Sequence, residues 1–224
     1  MMSTITAALY APLIALLAMP VGASPPEKRE RRAACQACLA CGTETAAPRV
    51  ALLKVYNQSR LTDTDVAGIL ENAGRLWMPY GVTLASGSGE GAISVVIRTT
   101  APPDDKSGHK TMGTTLFFEG HATPYIQLSL QAAEQVADAA RSGDVSFASR
   151  PFQERQAILL RMMGVALAHE LGHYLLDTPV HSSQGLLRRA LAARDFEYPQ
   201  SARLSLTGEQ QALICRKDLA SPAR

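Results

Sequence analysis

Residues 151–188 read PFQERQAILLRMMGVALAHELGHYLLDTPVHSSQGLLR, and their periodicity decides what the rest of the chain must pack against. Pro151 suits a first helical turn, where its missing N–H costs nothing. From there Ile158, Leu159, Met162, Val165, Ala166 and Leu175 put apolar side chains on most sides, so the segment reads as a buried central helix. Pro179 disfavours helical geometry at Thr178, so the helix should stop near Leu176 or Asp177. Close to its end lies His169-Glu170-Leu171-Gly172-His173. Residues four apart on a helix share one face, so His169 and His173 aim their rings at a common point. Neutral imidazole is a good zinc ligand, and two from one rigid helix are pre-aligned.

Glu170 points in a neighbouring direction, where a carboxylate reaches a water at the metal without ligating the metal itself. Such a water has a pKa near neutrality, and Glu170 is placed to take its proton as general base. In a chain of this length and composition the pattern arises by chance roughly 0.005 times. The bland alternative is a pair of core histidines with Glu170 bonded to an arginine. Burying two histidines and a carboxylate together without a cation is costly, which argues against it.

A catalytic zinc needs a third protein ligand and one open position. After Pro179 the chain can turn and bring His181 beneath the metal, and Asp177 tolerates the left-handed conformation such a turn requires. His181 is therefore the expected third ligand. Asp195 and Glu197, which would supply a carboxylate from a following helix, are the alternatives.

Outward from this helix, Val50 to Tyr56 (VALLKVY) is a β-branched apolar run and reads as a buried strand. Thr62 and Asp65 open an amphipathic helix over residues 63–77, carried by Val66, Ile69, Leu70, Ala73 and Leu76 and ended by Tyr80-Gly81. Short strands are expected at Val82 to Ala85 and Ile93 to Thr99. Residues 100–112 form a polar loop containing proline and glycine. Two more strands, Thr114 to Glu119 and Tyr125 to Leu130, flank a turn at Gly120 to Pro124. A helix at about Gln131 to Arg141 and a loop from Ser142 to Ser149 lead into the central helix. Thr207 with Gln210 opens a C-terminal helix to about Arg216. The class is α/β.

The N-terminus has its own signature. Residues 5–23 (ITAALYAPLIALLAMPVGA) are apolar, uncharged and end in small residues, as a cleaved signal peptide does. Pro12 and Pro20 make a stable spanning helix less attractive. The expected organisation is a signal peptide over 1–23, a cysteine-containing linker over 24–48, one domain over 49–218 and a short tail over 219–224. Export makes the four cysteines, Cys35, Cys38, Cys41 and Cys215, disulfide candidates, one pair tying the N-terminal segment to Cys215. A formal charge of +2 is too small to argue for nucleic acid, and 46% hydrophobic with 19% charged residues describes a soluble globular domain that stays off the membrane once the leader is removed.

The order of strand, helix, three strands with an edge hairpin, then a long HExxH helix resembles the metzincin clan of zinc peptidases. His169, Glu170 and His173 match the start of its HExxHxxGxxH motif, and Gly185-Leu186-Leu187 resembles the approach to a Met-turn. The segment HELGHYLLDTPVHSSQGLLR is more similar still to a group of predicted exported bacterial peptidases with the pattern HExxHxLxxxxxHSxxGxMR. In that pattern the third histidine stands eight residues after the second, as His181 does after His173. There are departures: Leu176 stands where the metzincin turn has glycine, Pro179 where it has its third histidine, and Leu187 where either pattern has methionine. Leucine conserves the apolar volume.

The resemblance implies a twisted mixed sheet of about five strands with an antiparallel edge strand, packed on the HExxH helix and a C-terminal helix. It implies peptide-bond hydrolysis with one zinc ion and an extended peptide or protein substrate paired along the edge strand. Thr115, Leu116 and Phe117 would then line its subsites. His109 and His121 read as solvated, and Tyr174 and Tyr198 as packing residues.

Overall fold

The computed structural model describes residues 49–100, 110–139, 141–142, 145–191, 195–196 and 202–216. The expected signal peptide, the linker with Cys35, Cys38 and Cys41, His109, Glu197, Tyr198 and the tail all lie outside these residues. Of the cysteines, only Cys215 lies within them.

Five strands form one sheet: β1 (Arg49–Gln58), β2 (Val82–Ser86), β3 (Ile93–Arg98), β4 (Gly113–Phe118) and β5 (His121–Ser129). Their order is β2-β1-β3-β5-β4. β1, β2, β3 and β5 run parallel, and β4 runs antiparallel to β5 at the edge. The alternation of Ala51, Leu53 and Val55 in β1, and of Ile93, Val95 and Ile97 in β3, turns one face of the sheet into the core. Two helices cover that face: α1 (Asp63–Trp77) packs beside β2 and α3 (Phe152–Leu176) lies against β4 and β5. Between them in sequence come α2 (Leu130–Ala139) and a two-residue ladder, β6 (Arg141–Ser142) with β7 (Val145–Ser146). α4 (Gly208–Arg216) closes the described chain.

α1 starts at a full capping box: the Thr62 hydroxyl accepts from the Asp65 N–H, and the Asp65 carboxylate accepts from the Thr62 N–H. Its exit is the left-handed Gly81, φ 70°. α1 and α3 press together at Gly164, where an added Cβ would stand 2.5 Å from Asn72 Cβ and 3.0 Å from the Ile69 carbonyl. Trp77, fully buried, donates its indole N–H to the Ala168 carbonyl at 3.1 Å, one residue before His169. The histidine-bearing turn of α3 is thus held by the α1 crossing on one side and by the sheet on the other.

Two expected details differ. Pro124 stands inside β5 and not in a turn; the turn is at Glu119-Gly120, both with positive φ. Proline is tolerated there because the β4–β5 register shifts between Thr115 and Phe117, so Pro124 owes the ladder no N–H. The segment expected as a loop from Ser142 to Ser149 holds β7 and part of β6, followed by a 3-10 turn at Phe147–Ser149. Among the described residues, no helix is long and apolar enough to cross a membrane.

Candidate metal centre

Three imidazoles meet at the C-terminal end of α3. Nitrogens of His169, His173 and His181 all lie within 4.8 Å of one another. His169 and His173 are buried, while His181 is exposed. The loop after the helix brings them together. Asp177 takes the left-handed conformation (φ 50°, ψ 50°), its N–H bonds the Tyr174 carbonyl, and the Thr178 N–H bonds the His173 carbonyl. That pair of bonds is a Schellman motif with aspartate in the place usually held by glycine. The aspartate is fixed from outside, since its Oδ1 accepts from the Ala122 N–H at 2.6 Å and its Oδ2 meets His121 Nδ1 at 2.8 Å. His121, expected to be solvated, is an exposed side chain that meets the end of the helix.

The chain then runs through Pro179 to His181 and folds back beneath α3. The Ser182 N–H bonds the Leu187 carbonyl at 2.9 Å and closes the loop. Gly185, with φ 80°, sits where a Cβ would lie 2.3 Å from the Ser205 carbonyl. Leu186 and Leu187 are fully buried. Leu187 presses on Gly172, whose added Cβ would stand 2.5 Å from Leu187 Cδ2. The glycine inside the HELGH segment is therefore a packing requirement of the loop below it.

This loop also fixes the histidines chemically. His169 Nδ1 lies 2.8 Å from the Leu186 carbonyl, and His173 Nδ1 lies 2.7 Å from the Thr178 carbonyl. A carbonyl only accepts, so each Nδ1 carries the proton and each Nε2 presents a lone pair. Those two Nε2 atoms face each other at 3.0 Å. Two lone pairs at that distance repel unless a cation or proton lies between them. The same tautomer, set by a backbone carbonyl, is the one metal-ligating histidines adopt. The donor set fits a zinc ion.

Burial and charge shift the groups in a consistent direction. Desolvation, then the neighbouring His173, hold His169 down at about pKa 4. Burial lowers His173 and, with His173 and Arg189 nearby, His181 as well. All three rings are therefore neutral and ready to ligate at neutral pH. Protons and metal compete for the ring nitrogens, and the folded protein disfavours the protons. Zinc bound here should persist below pH 6.5, where an ordinary imidazole is half protonated, because all three rings are lowered from that value. Zinc content after dialysis across that pH range measures it.

Glu170 is buried and raised to about pKa 7, because burial penalises its charge more than the Thr115 hydroxyl favours it. A carboxyl near pKa 7 is matched to taking and returning a proton at neutral pH. It opens, with the three histidines, on a cleft of about 890 Å³ whose other lining residues include Met112, Phe117, Val136, Arg189 and Leu191.

The remaining expected residues distribute as follows. Thr115 is buried and bonded to Glu170, and Phe117 lines the cleft with its ring edge toward His173. Leu116, on the opposite face of β4, is half exposed and outside the lining of the cleft. Asp195 is fully buried in an ion pair with Arg188 and stands apart from the histidine cluster. Tyr174 is half-buried against the core, as expected of a packing residue. Sequence reasoning missed Gly113, Gly172 and the carbonyls of Thr178 and Leu186. The fixed glycine was readable as a close approach, but a carbonyl carries no sequence signal. Comparison with family models, curated proteins and solved structures finds no match.

Proposed function

We propose that this chain is an exported zinc-dependent metalloendopeptidase of metzincin-like architecture, with His169, His173 and His181 as the metal ligands and Glu170 as the general base. The observation that carries the reading is the convergence of three imidazoles, two of them with the tautomer fixed by a backbone carbonyl, beside a buried carboxyl at the mouth of an open cleft. The antiparallel strand β4, at the sheet edge beside this cleft, supports a peptide substrate, because among the described residues no strand pairs with its outer side, where an extended chain could add. Residues 5–23 support export.

Zinc held by the three histidines would polarise the scissile carbonyl and lower the pKa of the attacking water toward neutrality. Glu170 takes the proton that the water loses as its oxygen attacks the carbonyl carbon. The same carboxyl then gives that proton to the leaving nitrogen as the C–N bond breaks, so the base returns to its starting state. His169 and His173 stay neutral throughout, each anchored by its carbonyl. The Arg188–Asp195 pair secures the loop beneath them, which favours His181 over Asp195 as the third ligand.

The test is digestion of a peptide library by the purified protein. Internal cleavage is expected, lost on dialysis against a chelator and restored by about one equivalent of zinc per chain. Cleavage that survives complete removal of metal would sink the proposal.

A further inference from the structure

Strand β4 reaches the HELGH segment through each residue of its inner face. Gly113, Thr115 and Phe117 alternate toward α3. Phe117 meets the His173 ring edge-on, with centroids 6.5 Å apart. Gly113 leaves room for the Glu170 side chain, since a Cβ there would stand 2.7 Å from Glu170 Cγ and 3.0 Å from Oε1. Thr115 Oγ1 lies 2.8 Å from Glu170 Oε2 and 2.8 Å from the Glu170 backbone carbonyl. Its hydroxyl has one hydrogen and two lone pairs, and it is 6% exposed, so water does not compete for it.

Building on the hydrolase reading of this site, we propose that Thr115 is a positioning residue that fixes the Glu170 carboxylate against the cleft, in a slot that Gly113 keeps open. A hydroxyl bonded to the backbone carbonyl alone would only tie a strand to a helix. The second contact, to Oε2, is what sets the side chain. The carboxylate is held through Oε2 on the Thr115 hydroxyl, while Oε1 lies in the space left by the missing Cβ of Gly113. The hydroxyl also suits both states of the base without moving a heavy atom. It donates to Oε2 both when the carboxylate is bare and when the proton sits on Oε1, which leaves Oε1 to take and return that proton. β4 thus has two tasks on its two sides, holding substrate along its outer edge and the base on its inner face.

The experiment compares zinc-loaded wild type with Thr115→Val, which removes the hydroxyl, and Thr115→Ser, which keeps it. Thr115→Val should lower kcat roughly ten- to hundredfold with zinc content and KM unchanged, and Thr115→Ser should restore most of the loss. Should Thr115→Val fail to fold, Thr115→Cys carries the same comparison with a much weaker donor. A Thr115→Val kcat within about twofold of wild type, or a Thr115→Ser defect as deep as that of Thr115→Val, overturns the proposal. A zinc-loaded wild type that cleaves no peptide refutes the hydrolase reading instead. The crystal structure of zinc-loaded Thr115→Val then decides this inference: a displaced Glu170 carboxylate supports it and an unmoved one overturns it.

Discussion

Glu170→Gln is expected to bind zinc as wild type does and to lose about 10²- to 10⁴-fold in kcat, the usual worth of a positioned general base. The substitution is nearly isosteric. The glutamine carbonyl oxygen still accepts from Thr115, so the strand–helix contact survives. The amide, however, has no place for the proton that water must lose. The three imidazoles are untouched, and the tautomers of His169 and His173 are set by Leu186 and Thr178, not by Glu170. KM should change little, since the carboxyl acts on the attacking water and not on the resting substrate. Zinc content and single-turnover cleavage measured on one preparation check both halves. A Glu170→Gln variant that cleaves at the wild-type rate removes Glu170 from the chemistry.

His181→Ala carries the second large effect. Zinc affinities of about 10–16 kcal/mol for four-ligand sites imply roughly 3 kcal/mol per ligand, so losing one should weaken binding on the order of a hundredfold. His181 is exposed, so the fold should tolerate the change with little loss of stability. Competition against a chromophoric chelator reads the affinity, and activity should fall with it at limiting zinc. Asp195→Asn is the informative partner. It breaks the charge pair with Arg188 but should leave zinc affinity within a few-fold of wild type. If Asp195→Asn loses the metal and His181→Ala keeps it, the third ligand has been misassigned.

Much of the architecture was legible because each element carried its own punctuation. The box at Thr62 and Asp65, with the stop at Gly81, bounded α1, and Pro151 and Pro179 bracketed α3. The edge position of β4 came from resemblance and not from its residues, since nothing in GTTLFF says which neighbours a strand has. Pro124 misled because proline in a strand depends on a register shift that exists only once β4 and β5 pair. The two-residue ladder of β6 and β7 is too short to show any period.

The histidine cluster was legible in the sequence and the groups that support it were not. Helical spacing brought His169 to His173, and the need for a third donor pointed to His181. The turn that the metzincin pattern builds with glycine at the place of Leu176 falls one residue later here, on Asp177, held by the Ala122 N–H and His121. Those partners lie on another element, out of reach of local reasoning. Thr115, expected to line a subsite, does line the cleft and also bonds the Glu170 carboxylate, a contact between elements that strand alternation alone does not reveal. Gly172, an unspecified position of the motif, is where Leu187 packs.

Everything proposed for this site depends on three imidazoles and one open position holding zinc. X-ray absorption at the zinc edge of the purified, zinc-loaded protein reads that coordination shell. Three imidazole nitrogens at about 2.0–2.1 Å and one light-atom ligand from solvent are expected. Sulfur scatterers at about 2.3 Å, or fewer than three imidazoles, would contradict it.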